Sequence, residues 1–395
     1  MDINKQLQNA IARHQSGALD KAERIYRAVL RKEPGNANAL NLLGLVAHAG
    51  GRNDRAETLI RKALKANPQG ASFWRNLATV LTAKDDCDGA ETAYRTVLRL
   101  RPDDFAAHND LGNLYNGQRR LGEALDCYRS AVALRPESAL SHYNLANALY
   151  KTGDKHAALT AVRRSVALDP DQPRSQHMLR ALSGDAADSA PEVYVTALFD
   201  DYAATFDQDL VDRLHYRVPE QLAAALRQLR AGAPPLAHGL DLGCGTGLSG
   251  AAFRDLVDRL TGIDLSANMI ARADAKGIYD DLVTTDIGRF LADTTNGFDL
   301  FLATDVFIYV GALEEVFRGL AGRAQPNAWF AFSTERSADQ DLVLRESGRF
   351  AHSRPYVARC AAASGFTTRH SGETIIRSGE DGDIVGDLFV LRFQG

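Results

Sequence analysis

Prolines recur at Pro34, Pro68, Pro102, Pro136 and Pro170, each 34 residues after the last. Alanines keep the same interval at Ala22, Ala56, Ala90, Ala124 and Ala158, and four positions after each stands a large apolar residue: Tyr26, Ile60, Tyr94, Tyr128 and Val162. Three columns with one period dictate a stack of like units, because a unit this short cannot bury its apolar face alone and closes it against its neighbours. A small residue lets two helices cross closely, the large one fills the gap between them, and proline stops the second helix. The units run over 3–36, 37–70, 71–104, 105–138 and 139–172. Asn9 and Arg13, where the neighbours carry apolar residues, mark the first as a terminal capping unit. Residues 173–182 are expected to form a closing helix.

Trp74-x-x-Leu77-Ala78-x-x-Leu81 and His108-x-x-Leu111-Gly112-x-x-Tyr115 resemble the first-helix pattern of the tetratricopeptide repeat. The resemblance implies an all-α solenoid over 1–182 whose first helices line a concave groove. The positions expected to face it are Asn41, Arg75, Asn109 and Tyr143 in one row, Asn113 and Asn147 in a second, and His48, Asn116 and Tyr150 in a third. Amides and aromatics in rows suit the backbone of an extended peptide, so a protein or peptide partner is expected there. The same rows also read as a plain solvated face. His14 and His48, like His108 and His142, occupy equivalent repeat positions, which points to structural or groove roles and away from a metal cluster.

Residues 183–191, from Ser183 to Pro191, are small, polar and turn-rich, and read as a linker. Beyond them the repeat stops and β-like runs alternate with helical ones, the pattern of a parallel α/β sheet. Leu240 leads into Asp241-Leu242-Gly243-Cys244-Gly245-Thr246-Gly247 and then a helical segment. Glycines at a strand end permit positive φ and bring a ligand against bare backbone. The helix that follows offers unpaired N–H groups to that ligand. Strand-like runs also finish at Asp264, 17 residues past Gly247, at Asp286 and at Asp305. In open parallel sheets the ligand lies at those carboxyl ends.

Asp-x-Gly-x-Gly-x-Gly followed by Gly262-x-Asp264-x-Ser266-x-x-Met269 resembles class I S-adenosylmethionine-dependent methyltransferases. The resemblance covers 192–395 and implies a Rossmann-like, seven-stranded domain with S-adenosylmethionine as its cofactor. It places Asp241, Gly243, Cys244, Gly245 and Gly247 in the cofactor loop and Asp264 with Leu265 at the ribose. Met269 then lies against the adenine face, Asp286 and Ile287 at the adenine edge, and Asp305 at the fourth strand end. A helical preamble over 192–230 implies a lid, with Tyr202 and Phe206 on one helical face; core packing explains that pair equally well. Cys244 reads as a small filler, since no nucleophile is needed on a methyl already activated by a sulfonium.

Nucleobase and amide methyltransferases usually carry Asn/Asp-Pro-Pro-Tyr after the fourth strand, and Thr304-Asp305-Val306-Phe307 departs from it. The formal charge of −4 offers no general basic field either. A nucleic-acid acceptor is therefore not expected. His352 is a candidate base, Arg349 a candidate anchor for an anionic acceptor, and Tyr309 and Tyr356 candidate pocket walls; loop hydrogen bonding or packing would account for the same residues. Four dispersed cysteines form no Cys-x-x-Cys pair, and no stretch approaches the apolar length of a membrane span. A reduced, cytoplasmic chain without metal or membrane is the expectation.

The whole chain resembles bacterial predicted methyltransferases with N-terminal tetratricopeptide repeats. Three functions stay open: methyl transfer to oxygen or nitrogen with the repeats recruiting substrate or a partner, a small-molecule methyltransferase whose repeats only mediate oligomerisation, and a scaffold with an inactive cofactor domain.

Overall fold

The computed structural model describes residues 3–185, 188–203, 206–379 and 382–395. Two compact units divide it, Met1–Pro170 and Asp171–Gly395.

The first unit consists of five helical hairpins: α1 (Ile3–Gln15) with α2 (Leu19–Lys32), α3 (Ala37–Ala49) with α4 (Asn53–Ala66), α5 (Ala71–Thr82) with α6 (Cys87–Leu100), α7 (Phe105–Gly117) with α8 (Leu121–Leu134), and α9 (Ala139–Lys151) with α10 (Lys155–Leu168). The alanine column is wholly buried from Ala22 to Ala158, and Tyr26, Ile60, Tyr94, Tyr128 and Val162 lie buried beside it. Gly44 and Gly112 show why the crossing needs a small residue. A Cβ would stand 2.6 Å from Ile60 Cγ1 at the first and 2.7 Å from Tyr128 Cε1 at the second.

Hydrogen bonds repeat with the sequence. Trp74 Nε1 donates to Pro68 O, and His108 Nε2 and His142 Nε2 make the same contact with Pro102 O and Pro136 O, at 2.9, 3.0 and 3.0 Å. The imidazoles therefore brace turns. Among the described residues no group of His, Cys, Asp or Glu could hold a metal ion. N-caps share one column too, with Asn36, Asp104 and Ser138 each accepting from the backbone N–H three residues on.

The second unit begins with α11 (Pro173–Ser183), which packs on later elements of the same unit: His177 Nε2 lies 2.8 Å from Gly348 O. Of the expected linker, Ala186 and Ala187 lie outside the described residues. Its tail is docked, with Ala190 N–H donating to Tyr309 O and Asp188 O accepting from Gly311 and Ala312. Next come α12 (Glu192–Tyr202), the short turn α13 (Phe206–Gln208) running into a π-turn at Asp209–Arg213, and α14 (Val218–Leu229).

Strands and helices then alternate: β1 (Leu236–Leu242), α15 (Leu248–Phe253), β2 (Val257–Asp264), α16 (Ala267–Ala275), β3 (Asp281–Thr284), α17 (Ile287–Asp293), β4 (Phe298–Ala303), α18 (Glu314–Ala321) and β5 (Ala324–Arg336). The chain finishes with β6 (Leu342–Leu344), β7 (Phe350–His352), α19 (Arg354–Ala363), β8 (Phe366–Gly379) and β9 (Gly382–Phe393). β3, β2, β1, β4 and β5 pair in parallel in that order, and antiparallel β9 then β8 continue from β5. These are the seven expected strands. β6 and β7 are additional, a short hairpin on the carboxyl end of β5. Phe301, Phe330, Phe332 and Phe317 fill one face of the sheet, while Leu222, Leu226, Leu300 and Val390 fill the other. Both faces are covered, and a cavity lies at the carboxyl ends of the parallel strands.

Candidate active site

β1 ends in a turn that only glycine enters without strain: φ is +63° at Gly243, +54° at Gly245 and +95° at Gly247. A Cβ on Gly243 would meet Val306 Cγ2 at 2.8 Å, whereas one on Gly245 would project toward Phe206 at 3.8 Å. The loop is anchored across the sheet. Gly245 N–H donates to Asp264 Oδ2 and Ser266 N–H to Asp264 Oδ1, at 2.9 and 2.8 Å. Burial pushes the Asp264 carboxyl up, against these backbone donors.

Around this loop lies a cavity of about 380 Å³ that follows the carboxyl ends of β1 to β4. Gly243, Cys244, Gly245, Asp264, Leu265, Asp286, Ile287 and Asp305 all line it. Asp286 also caps α17, its Oδ1 accepting from Arg289 N–H. Three expected cofactor residues stand elsewhere. Asp241 is wholly buried beneath the loop, where Tyr279 donates to its Oδ2 at 2.7 Å, and Gly247 serves as the left-handed entry to α15. Met269 is buried on the inner face of α16 and does not reach the cavity wall. The Cys244 thiol, buried and driven well above its ordinary range by that burial, fits a filler.

Over the cavity lie aromatic rings from the preamble. Tyr202 and Phe206 do not share one helical face, since α12 ends at Tyr202 and α13 starts at Phe206, yet both line the cavity. Their rings meet edge on at 5.4 Å, and Phe199 adds edge contacts to Phe206 at 6.0 Å and Tyr309 at 5.3 Å. Carboxylates latch this layer to the glycine loop and α16: Asp200 accepts from Ser266 Oγ, and Asp207 takes Lys276 Nζ at 2.7 Å and Thr246 Oγ1. Neither latch was legible in the chain, because their partners stand 66, 69 and 39 residues away.

At the far end of the cavity the polar groups converge. Asp305, at φ +61°, ends the β4 segment with its N–H bonded to Ser333 Oγ and its Oδ2 held by Arg377 Nη1 at 2.9 Å. Its Oδ1 is shielded and has no hydrogen-bond partner among the described residues. Arg377 also donates from Nη2 to Glu335 Oε1 at 2.7 Å. Burial raises the carboxyls of Asp305 and Glu335, and the guanidinium opposes it. Tyr309, Arg349, Arg377 and the buried Tyr216 complete this wall.

His352 is not part of it. Its ring is fully buried, stacks on Tyr356 at 5.9 Å and places Nε2 2.8 Å from Gly311 O. Burial holds the imidazole below its usual range; its bond to Gly311 O braces the post-β4 loop, and the residue is not in the cavity lining. Tyr356 is likewise structural, accepting from Leu313 N–H and donating to Glu314. Arg377 has no local motif that marks it as a site residue, and Tyr216 is one of several aromatics in the preamble that could equally pack on the sheet. The one hint was an arginine in the otherwise apolar run Ile375-Ile376-Arg377.

In the repeat unit, Asn41 and Asn109 are buried and used between helices, Asn41 accepting from Asn76 and Asn109 donating to Ser141. That corrects their placement on an open groove: the amides tie neighbouring repeats together. Asn113 is exposed and accepts from Tyr128, while Arg75, Tyr143 and Asn147 are half-buried.

Residues 240–332 match the family model for a methyltransferase domain, and residues 7–71, 75–139 and 111–173 match the tetratricopeptide repeat model. Human methyltransferase-like protein 27 is 34% identical over 118 residues, 30% of this chain and 46% of that protein. Malonyl-[acyl-carrier protein] O-methyltransferase of Enterobacter lignolyticus (strain SCF1) is 28% identical over 161 residues, 40% of this chain and 63% of that protein. The chain thus spans less than two thirds of either relative. The crystal structure of YrrB, described as a TPR protein with an unusual peptide-binding site, superposes at a TM-score of 0.38 with 21% identity, covering 45% of this chain and 91% of that one.

Proposed function

We propose that this chain, which joins tetratricopeptide repeats to a methyltransferase domain, transfers a methyl group from S-adenosylmethionine to an oxygen or nitrogen of a bound acceptor. The observation that carries this is a bare glycine turn tied by Gly245 N–H to the Asp264 carboxylate, inside a cavity that follows four strand ends. The residues present fit that cofactor: positive φ keeps the loop open to it, and the cavity lies within the usual range for small-ligand sites.

When bound, the cofactor supplies a methyl group made electrophilic by its sulfonium. The chain's work is orientation, exclusion of water and acceptance of a proton. Asp264 would hold the ribose hydroxyls, Asp286 and Ile287 would border the adenine, and the Gly243–Gly245 backbone would face the amino-acid end. Phe199, Tyr202 and Phe206 keep solvent from the reacting atoms. Asp305, positioned by Arg377, is the carboxylate of the cavity wall that would accept the proton. Calorimetry with S-adenosylmethionine on the full chain tests the reading. Binding should weaken about 10- to 100-fold in Asp264→Ala and vanish in Gly243→Arg, and its absence from the unaltered chain, or its persistence unchanged in either variant, defeats the proposal.

The repeats act as a recruiting surface for a protein substrate or partner, through Arg75, Asn113, Tyr143 and Asn147. In the full chain, Asn113→Ala with Asn147→Ala should lower transfer of labelled methyl to lysate protein while leaving calorimetric cofactor binding intact. Equal labelling by this variant would argue against recruitment.

A further inference from the structure

We propose that the methyl acceptor carries a carboxylate close to the atom that is methylated, and that Arg349, backed by the Tyr309 hydroxyl, is its anchor. This rests on the cofactor reading above.

Arg349 is held in a rigid setting. Gly348, at φ +78°, closes a turn in which Gly348 N–H donates to Arg345 O and Arg345 N–H to Arg349 O, both at 2.8 Å. His177 contacts Gly348 O from α11, and Phe350 N–H donates to Ile308 O at 2.8 Å. That last bond lays the arginine beside the segment following β4, in the cavity wall.

The charges around it are unequally satisfied. Arg377 has two carboxylate partners, Asp305 and Glu335, and Arg345 lies 3.5 Å from Glu335. Arg349 forms no ion pair among the described residues; burial disfavours its charge, and the Tyr309 hydroxyl bonded to it together with Asp305 and Glu335 acting through space outweigh that. The guanidinium is therefore charged, lies in the cavity wall and has no carboxylate in contact, so N–H donors remain for an anion entering the cavity. Its planar fork suits a carboxylate, which it engages through two parallel N–H donors.

Place in the sheet separates this anion from the cofactor's own carboxylate. The cofactor seat runs over β3, β2 and β1, from Asp286 through Asp264 to the glycine loop. Arg349 precedes β7, on the opposite side of β4 and β5. Between the two stands Asp305, which lines the cavity with its Oδ2 held by Arg377. An acceptor with a carboxylate on Arg349 and its reacting O–H or N–H two or three bonds away then lies beside Asp305, between the anchor and the cofactor seat.

The test uses the full chain saturated with S-adenosylhomocysteine, and 3-hydroxybutyrate as probe, which carries a hydroxyl two carbons from its carboxylate. Ligand-observed NMR titration should detect binding of 3-hydroxybutyrate and none of its uncharged amide. Arg349→Met should weaken the carboxylate about 10-fold or more, and Arg349→Lys, which keeps the charge and loses the fork, should fall between. Calorimetric affinity for S-adenosylhomocysteine should stay within 2- to 3-fold of the unaltered chain in both variants. Three outcomes overturn the proposal: the carboxylate fails to bind, the amide binds as well, or Arg349→Met leaves the carboxylate unaffected. A tenfold loss of S-adenosylhomocysteine affinity in Arg349→Met also overturns it, by assigning the arginine to the cofactor. If the unaltered chain does not bind S-adenosylhomocysteine at all, the cofactor reading itself has failed.

Discussion

Replacing Arg377 by methionine is expected to lower the stability of the second unit by about 3–5 kcal/mol, the usual cost of stranding one half of a buried ion pair. The guanidinium is 4% exposed and bonds Asp305 and Glu335 at 2.9 and 2.7 Å, while Glu335 is itself 2% exposed. Burial already pushes both carboxyls up, and the arginine is what opposes it. Without Arg377 the two acids are held further above their unfolded values. The loss is then fully felt at pH 8 and shrinks as the pH falls through those raised values and the acids take up protons. Urea unfolding followed at pH 8 and pH 5 measures this, with methyl transfer expected to fail at both because Asp305 is no longer held. Adding Glu335→Gln to Arg377→Met should recover part of the stability, since the two sites share one contact. A loss below 1 kcal/mol, or one independent of pH, would contradict the account.

Asp241→Asn should do the opposite and stabilise the second unit above neutral pH. The native carboxyl is wholly buried, is pushed up to about 7 by desolvation, and has one partner, the Tyr279 hydroxyl. An acid raised in the folded state takes up protons on folding, so stability falls as the pH climbs from its unfolded value toward 7 and levels off beyond it. Asparagine keeps an oxygen for Tyr279 and removes the buried charge. The variant should therefore match the native chain near pH 4 and gain on the order of 4 kcal/mol by pH 8. Calorimetric melting across that range reads it as a gain of several degrees for a unit of this size. An equal gain at pH 4, or none at pH 8, would mean the carboxyl is not the cause.

These two acids show how unevenly the site was written in the chain. Asp241 and Asp305 both close β-like runs, and from sequence they look alike. In the fold one lies under the glycine loop against Tyr279 and the other lines the cavity with Arg377 on its Oδ2. The same holds for His352, an obvious candidate base that packing turned inward onto Gly311 O, and for Met269, which faces the interior of α16's packing layer. Arg377 carried almost no signal, because its meaning depends on a residue just past β4, 72 positions earlier, and a β5 residue 42 positions earlier.

By itself the sequence determined what near neighbours determine. The 34-residue interval sets which helix faces close on each other, since small and large residues recur at one spacing and nothing beyond the adjoining repeat is needed to bury them. The glycines after Asp241 set a backbone that other residues resist, and Asp264, Asp286 and Asp305 mark strand ends wherever those strands lie in the sheet. Only the tertiary structure decided which polar groups share the cavity. A side chain's partner is chosen by strand order and by the packing of both sheet faces, and those bring together Arg349, Arg377, Tyr216 and Asp305 from segments that have no local reason to meet.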